Sequence, residues 1–163
     1  MIIDLKNEHN LRGYTLEYAS RVLLRRKRKN NFIFLLSRFD SLTEIFQKYR
    51  INVVYNDKLN WLLENKIRVD ALELVLDNKK DRNLKDIIFY EIKGRFYNTK
   101  RKYYETCHSN YLFVQEAFKK GFTTYIVALM IFPNWRFSFN VHEYDKVTMK
   151  VYDSRNNKII KFT

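Results

Sequence analysis

The sequence predicts an α/β protein in which helices flank a mixed β-sheet, and three features of the chain support this fold class. An early segment repeats apolar residues at helical spacing, two β-rich runs follow each other across a polar turn, and a second helical segment leads into a long apolar strand. The chain of 163 residues can form one domain with a substantial core but is short for two. We therefore predict a single domain over residues 1–163.

The first predicted helix runs from about residue 14 to residue 29. Its apolar residues recur at the helical period, and its last turn is crowded with Lys and Arg, which the helix dipole favours there. The next stretch, residues 31–65, is predicted to be an irregular insert. Candidate elements within it are a helix over 42–49 capped by Asp40 or Ser41, a strand over 51–55 and a short helix over 59–63.

The centre of the chain predicts an antiparallel β-hairpin. Residues 66–78 and 84–94 are rich in strand-forming side chains, and the polar sequence at 78–83 separates them. A helix over 103–120 follows, ended by Gly121 near the C′ position. The remaining predicted elements are a buried strand over 123–132 stopped by Pro133, an edge strand over 136–144, and a terminal hairpin built from 147–153 and 158–162.

The net charge of +13, from 31 Lys and Arg against 18 Asp and Glu, indicates a polyanionic partner. An AT-rich genome would also raise the lysine content, but it would scatter the charges, whereas this chain concentrates them at Leu23–Asn30 and Asn98–Lys102. We expect phosphate contacts from these clusters and from the cation after Gly94. The predicted contact residues are Arg25, Arg26, Lys27, Arg28, Arg95, Lys100, Arg101 and Lys102.

Several classes of protein are disfavoured by the composition. A single cysteine, Cys107, excludes an intramolecular disulfide, and the three histidines are not in metal-ligand spacing. The chain has no run of about 18 apolar residues and no secretory signal pattern. We expect a soluble, intracellular protein without membrane contact. The sequence leaves its compartment and its oligomeric state open, a homodimer included.

The stretch Ile87–Gly94 raises a specific question, because it places two charges in an apolar strand. Glu91 and Lys93 are two residues apart, so both face the same side of the strand. Asp70 lies near the start of the strand predicted to pair with this one. Two carboxylates and a backbone carbonyl are suitable ligands for Mg²⁺, and a nearby ammonium can orient a water molecule. A bound metal would compensate the buried charges.

These residues resemble the signature of the PD-(D/E)XK nuclease superfamily, and among its members the small archaeal-type Holliday-junction resolvases most of all. The signature is Asp70, a spacer of 20 residues, and Glu91-Ile-Lys93. Upstream, Gly13 and Glu17 fit the G-x-x-x-E pattern that family members carry on the first helix. Val69 stands where the nominal motif has proline. The resemblance spans roughly residues 12–132 and leaves the insert unaligned.

The resemblance implies a restriction-endonuclease-like fold and metal-dependent hydrolysis of DNA phosphodiester bonds. Asp70, Glu91 and the carbonyl of Ile92 would bind Mg²⁺, for which Mn²⁺ substitutes. Glu17 would bind a second ion or a metal-bound water, and Lys93 would position the attacking water. The implied products carry 5′-phosphate and 3′-hydroxyl ends.

The triplet alone is weakly specific, since the chain contains four acid-x-Lys triplets. Only Glu91-Ile-Lys93 lies in a strand-like run behind an Asp-bearing strand. Each site residue also has a structural alternative: Glu17 as a partner of Arg21, Asp70 as a solvent-facing residue, and Glu91 with Lys93 as an ion pair on an edge strand. On the helix at 103–120, Tyr111 and Gln115 are candidates to reach the substrate, with core packing an equal alternative for Tyr111.

The sequence does not identify the substrate, because phosphate contacts carry no sequence information. Four-way junctions, flaps, single strands and plain duplexes all remain open. Two other functions also remain: a nucleic-acid-binding protein that does not cleave, and an RNA-processing nuclease on the same fold.

Overall fold

The computed structural model describes residues 18–25, 32–35, 41–78, 80–97, 104–132, 136–147 and 157–160. In chain order the elements are α1 (residues 18–25), β1 (Phe32–Leu35), α2 (Leu42–Tyr49), α3 (Asp57–Glu64), β2 (Ala71–Leu76), β3 (Leu84–Phe96), β4 (Tyr104–Cys107), α4 (His108–Lys119), β5 (Thr123–Ile131), β6 (Phe137–Glu143), a 3₁₀ turn (Tyr144–Lys146) and β7 (Asn157–Ile160). The helix α1 lies inside the segment predicted to be helical.

Five strands form a mixed sheet in the order β1-β2-β3-β5-β6. The pairs β1–β2, β2–β3 and β5–β6 are antiparallel, and β3 pairs with β5 in parallel. A parallel pair needs a crossover connection, and α4 lies within the connection from β3 to β5. The predicted α/β class with a mixed sheet flanked by helices is therefore confirmed.

The predicted hairpin of β2 and β3 is also confirmed, and its loop is held by short polar side chains. The Asp77 carboxylate accepts hydrogen bonds from the Asn83 side-chain amide at 2.8 Å and from the Asn83 backbone N–H at 3.2 Å. The hydrogen bond from the Asn83 side chain is the main cause that lowers the pKa of Asp77. These hydrogen bonds close the loop, and the pairing register then shifts by one residue between Leu76 and Val75 before it continues regularly to Ala71.

Alternation along the strands divides the core between the two faces of the sheet. On one face, which we call the α4 face, Phe89 and Ile126 pack with Phe113 and Val114 of α4, together with apolar residues of α2 and α3. On the opposite face, which we call the α1 face, Leu24 of α1 packs with residues of β1, β2, β3 and β5.

The predicted insert contains one strand that the sequence did not reveal. Strand β1 pairs with β2 at the edge of the sheet. The predicted helices at 42–49 and 59–63 correspond to α2 and α3, capped by the side chains of Ser41 and Asn56. The strand predicted over 51–55 is wrong: these residues are all described, and Asn52 makes an isolated bridge to Asn83.

The predicted helix over 103–120 begins later than expected. Tyr104–Cys107 form β4, which pairs with β7, and α4 starts at His108. Pairing with a distant segment overrides local helical spacing here. The end of α4 is as predicted, with Gly121 at a φ of +80°. The predicted strands at 123–132 and 136–144 are confirmed as β5 and the sheet-edge strand β6.

The predicted terminal hairpin is only partly within the described residues. Its first half, apart from Val147, lies outside them, and the second half includes β7, whose partner is β4. No helix in the described ranges is long and apolar enough to cross a membrane.

Candidate active site

The strand register brings the predicted carboxylates together. Ala71 pairs with Tyr90, so Asp70, in the bend just before β2, lies opposite Glu91 on the neighbouring strand. Lys93 follows two residues later on the same face as Glu91. This is the α4 face, because Phe89 precedes them at the same alternation and packs against α4.

The side chains of the three residues converge. Lys93 Nζ lies 2.5 Å from Glu91 Oε1 and 3.7 Å from Asp70 Oδ2. The backbone N–H of Ile92 donates to Asp70 Oδ2 at 2.6 Å. In a strand, the N–H and C=O of one residue point to the same side, so the Ile92 carbonyl also faces the strand that Asp70 precedes.

Burial makes the charge balance of this site important. The side chain of Glu91 is 1% exposed, while those of Lys93 and Asp70 are 16% and 18% exposed. Like charges directly opposite each other on neighbouring strands destabilise a sheet, and the Lys93 ammonium offsets one of the two carboxylates. The three side chains together carry a formal charge of −1, at a place where Asp70 and Lys93 retain contact with solvent. The arrangement is suited to a cation ligand.

The structure adds one residue that the sequence analysis missed, Asn110. Its side-chain Nδ2 lies 3.3 Å and 3.4 Å from the two carboxylate oxygens of Glu91. Asn110 is in the first turn of α4, so the N-terminal end of this helix sits over the site. The available signal was a polar, weakly helix-forming residue ahead of the apolar part of α4, and the late start of the helix obscured it.

A second buried carboxylate, Glu73, lies on the α1 face. It is fully buried and accepts a hydrogen bond from the hydroxyl of Tyr90, which stacks on Tyr125. Alternation in β2 predicts this opposite orientation relative to Asp70. Glu73 is therefore not part of the site on the α4 face.

The sequence also suggested Tyr111 and Gln115 of α4 as residues that could reach a substrate. Tyr111 hydrogen-bonds to Tyr144, and burial together with Tyr111 raises the pKa of Tyr144 to about 12. This contact supports the packing alternative for Tyr111. Gln115 is half-buried in the same helix.

The predicted DNA-contacting residues are only partly described. Arg25 is exposed at the end of α1, a helix that packs on the face opposite the candidate site. Arg95 is half-buried on β3, two residues beyond Lys93 and on the same face. The remaining predicted residues lie outside the described part of the chain: Glu17, Arg26, Lys27, Arg28, Lys100, Arg101 and Lys102.

The protein ligands available at the site limit the kind of metal ion that it can hold. Within the described ranges, no group of three or more His, Cys, Asp or Glu side chains has a geometry that could hold one. Mg²⁺ does not need such a group, because it retains waters and is commonly bound by one or two carboxylates together with substrate phosphates. Asp70 and Glu91 meet that requirement with hard oxygen donors.

Comparison with known proteins adds no assignment. No protein-family model matches this sequence, and no curated protein matches it either.

Proposed function

We propose that this protein is a metal-dependent nuclease of the PD-(D/E)XK type that hydrolyses DNA phosphodiester bonds. The observation that carries the proposal is the convergence of Asp70, Glu91 and Lys93 on one face of a sheet. Asp70 and Glu91, which have 20 residues between them in the sequence, lie opposite each other there, and the Glu91 carboxylate is almost completely buried. An accidental match to the sequence signature would not require the two acids to share one face of the sheet.

The architecture gives further support to the proposal. A mixed sheet flanked by helices is what the resemblance implies, and this chain has such a sheet with its candidate residues on and beside the central strand β3. The specific restriction-endonuclease-like fold is part of the proposal. The charge of +13 favours approach of a polyanionic substrate.

In this proposal Asp70, Glu91 and the carbonyl of Ile92 hold Mg²⁺, or Mn²⁺ in its place, and Glu17 provides a further ligand. A divalent cation held there would polarise the phosphoryl oxygens and lower the pKa of bound water. Lys93 orients the attacking water and donates a hydrogen bond to the developing negative charge. Asn110 holds the Glu91 carboxylate in place, and Arg95 contacts the DNA backbone on the same face.

The decisive experiment compares labelled junction, flap, single-stranded, duplex and RNA substrates with Mg²⁺, with Mn²⁺ and with chelator. The wild-type protein should cleave DNA only when the metal is present. In Lys93→Ala, cleavage should fall by orders of magnitude while DNA affinity changes modestly, because the proposed role begins when water attacks. Glu91→Gln should abolish cleavage and tighten DNA binding, since a negative charge facing the phosphates is removed.

A matched control is available in the second ion pair on β3. Lys58 Nζ lies 3.2 Å from Asp86 Oδ1 near the start of the strand, far from the candidate site along β3. Lys58→Ala also removes an ion-paired lysine, and it should leave cleavage unchanged. A loss of activity equal to that of Lys93→Ala would mean that any loss of an ion pair on this strand inactivates the protein.

Thermal melts separate a metal site from a structural ion pair. Removing one partner of a buried pair costs about 3–5 kcal/mol whatever the metal concentration. A ligand at 100 times its Kd stabilises the native state by about 2.7 kcal/mol, so Mg²⁺ should raise the Tm of the wild type and not that of Glu91→Gln. The proposal is wrong if both site variants cleave DNA normally, or if the wild type binds DNA without cleaving it in either metal.

A further inference from the structure

Beyond the candidate site, β3 continues on the same face with a cation and then an exposed aromatic ring. Lys93, Arg95 and Tyr97 alternate along the chain, and pairing with β5 runs without interruption to Phe96. The Tyr97 backbone N–H donates to the Ile131 carbonyl at 2.7 Å, which extends the ladder past the end of β3. Tyr97 is therefore held in line with Lys93 by a rigid sheet.

Tyr97 is paired with a second aromatic ring. Its ring centroid lies 5.1 Å from that of Phe132, with an angle of 31° between the planes. Tyr97 is 45% exposed, whereas Phe132 is half-buried. The backbone N–H of Phe132 donates to the carbonyl of Arg136 at 2.8 Å, so an arginine flanks the pair on the side of β6. An arginine thus neighbours each ring in the chain or the sheet: Arg95 is two residues before Tyr97, and Arg136 is beside Phe132.

This combination has the features of a binding surface for an unpaired nucleotide. Aromatic rings bind single strands by stacking on their bases, and cations beside them hold the backbone. A base inside a duplex is already covered on both faces by its neighbours, so only an unpaired or splayed base can offer a free face to Tyr97. At about 3.3 Å per residue, Tyr97 lies roughly 13 Å along the strand from Lys93, within a few nucleotides of a phosphate held there.

We propose that Tyr97, supported by Phe132, is a stacking platform for a base of an unpaired strand, so that the substrate is DNA with a single-stranded segment beside the cleaved bond. The cleavage part of this statement rests on the proposed nuclease function. The binding part stands on the aromatic pair and its flanking arginines. The two parts can therefore be tested separately.

The binding test uses three labelled probes in chelator, so that no cleavage occurs. One is a duplex with a single-stranded arm, the second has the same arm built from abasic sugar-phosphate units, and the third is a blunt duplex. The first two carry the same number of phosphates, so they differ only in the bases available for stacking. The wild type should bind the base-bearing arm about tenfold more tightly than the abasic arm.

The variants assign this preference to the ring of Tyr97. Tyr97→Ala should bind both arms equally, while Tyr97→Phe, which keeps the ring, should retain the preference. Tyr55→Ala is the control variant, because it removes an aromatic ring that is 63% exposed and lies away from the site. The neighbours of Tyr55, Val54 and Asn56, line a small cavity together with Leu84 at the start of β3. This control should behave as the wild type, and thermal melts should verify that all three variants are folded.

The possible results separate the two proposals. Equal binding of both arms by the wild type, or an undiminished preference in Tyr97→Ala, overturns the platform even if the protein cleaves DNA. A preference that depends on Tyr97 supports the platform, and if such a protein fails to cleave any probe in Mg²⁺ or Mn²⁺, the nuclease proposal alone is wrong. With an active enzyme, cleavage of the base-bearing arm should fall in Tyr97→Ala through a higher KM.

Discussion

At the scale of single residues, the main feature is that Glu91 is a nearly buried carboxylate opposite a second carboxylate. Its environment contains an ammonium at 2.5 Å and an amide whose nitrogen is 3.3–3.4 Å from both oxygens. Buried charges are tolerated when they are paired and hydrogen-bonded, and Lys93 and Asn110 fulfil both conditions. We therefore expect Asn110, together with Lys93, to hold the Glu91 carboxylate in its orientation.

Asn110→Ala should weaken the metal response without abolishing it. Loss of an outer hydrogen bond to a metal-ligating carboxylate typically costs 10- to 100-fold in metal affinity or activity. We expect the Mg²⁺ concentration for half-maximal cleavage to rise by about that factor, with a smaller change at saturating Mg²⁺. A titration of cleavage rate against Mg²⁺ measures both quantities.

Asn60→Ala is the matched control for this substitution, because Asn60 is an exposed asparagine on α3. It should leave the Mg²⁺ midpoint unchanged. Asn110→Asp should be worse than Asn110→Ala, since it places a third carboxylate beside Glu91 and Asp70. An unchanged midpoint in both Asn110 variants would show that Asn110 has no part in positioning Glu91.

At the scale of secondary-structure elements, α2 and α4 are ended by hydrogen bonds that the local sequence supplies. After α4, Gly121 N–H donates to the carbonyl of Phe118 at 2.9 Å and Phe122 N–H to that of Ala117 at 3.0 Å. This Schellman pattern needs a left-handed residue, and Gly121 has a φ of +80°. The same pattern ends α2, where Arg50 takes the left-handed position with a φ of 51°.

Gly121→Ala should destabilise the protein through the backbone alone. A Cβ at this position would meet no atom within 4 Å, so packing does not contribute. The left-handed conformation costs an L-residue about 1–2 kcal/mol, which corresponds to a fall in Tm of about 2–8 °C for a chain of this size. Thermal unfolding of the variant measures the change.

Arg50→Gly serves as the reverse experiment on α2. Relief of the left-handed strain at Arg50 should offset the chain entropy that glycine adds to the unfolded state, about 0.5–1 kcal/mol. The Tm of this variant should not fall. A drop in Tm for Arg50→Gly together with no change for Gly121→Ala would contradict the backbone explanation at both helix ends.

At the scale of the whole molecule, two of the residues predicted to contact DNA lie in the described part of the chain, and they are on different sides of the sheet. Arg95 shares a face with the candidate site, while Arg25 belongs to α1, which packs on the other face. A nucleic acid contacted by both would have to extend around the sheet edge. Salt dependence of binding can count the contacts, because each neutralised phosphate releases counterions.

Replacing Arg25, Arg26 and Arg28 together by Ala should weaken DNA binding and flatten its salt dependence. The slope of log K against log salt should decrease in magnitude by about 0.9 for each duplex phosphate contact that is lost. Binding isotherms at several salt concentrations give the slope. The control replaces three exposed lysines elsewhere, Lys48, Lys85 and Lys120, and changes the net charge by the same amount. Equal slopes for the triple variant and the wild type would mean that the cluster at the end of α1 does not touch DNA.

The sequence predicted the elements whose signals are local. The helix α2 begins after Ser41, whose hydroxyl accepts a hydrogen bond from Glu44 N–H at 3.1 Å. The helix α4 ends at Gly121, whose N–H donates to the Phe118 carbonyl. Both helix ends could be predicted because each capping residue bonds to a residue three positions away. The hairpin of β2 and β3 was also predicted from a local signal, two β-rich runs separated by the polar segment at 78–83. Because alternation has a period of two, the sequence also placed Glu91 and Lys93 on one face, and the register of the β2–β3 pair then put Asp70 opposite Glu91.

Long-range pairing decided what the sequence could not. Strand β1 exists because β2 offers it an edge, and β4 replaces the first turn of a predicted helix because β7, about 50 residues away, pairs with it. Residues 51–55 have strand-like side chains, but Ile51 packs into the core and Asn52 makes an isolated bridge to Asn83 instead of a ladder. Asn110 reached Glu91 only because α4 crosses the sheet at that point. The sequence by itself determined the helix caps, the turns and the side of a strand that each side chain faces, because these depend on near neighbours in the chain. The tertiary structure decided which elements pair and what covers the site, because these depend on contacts between distant segments.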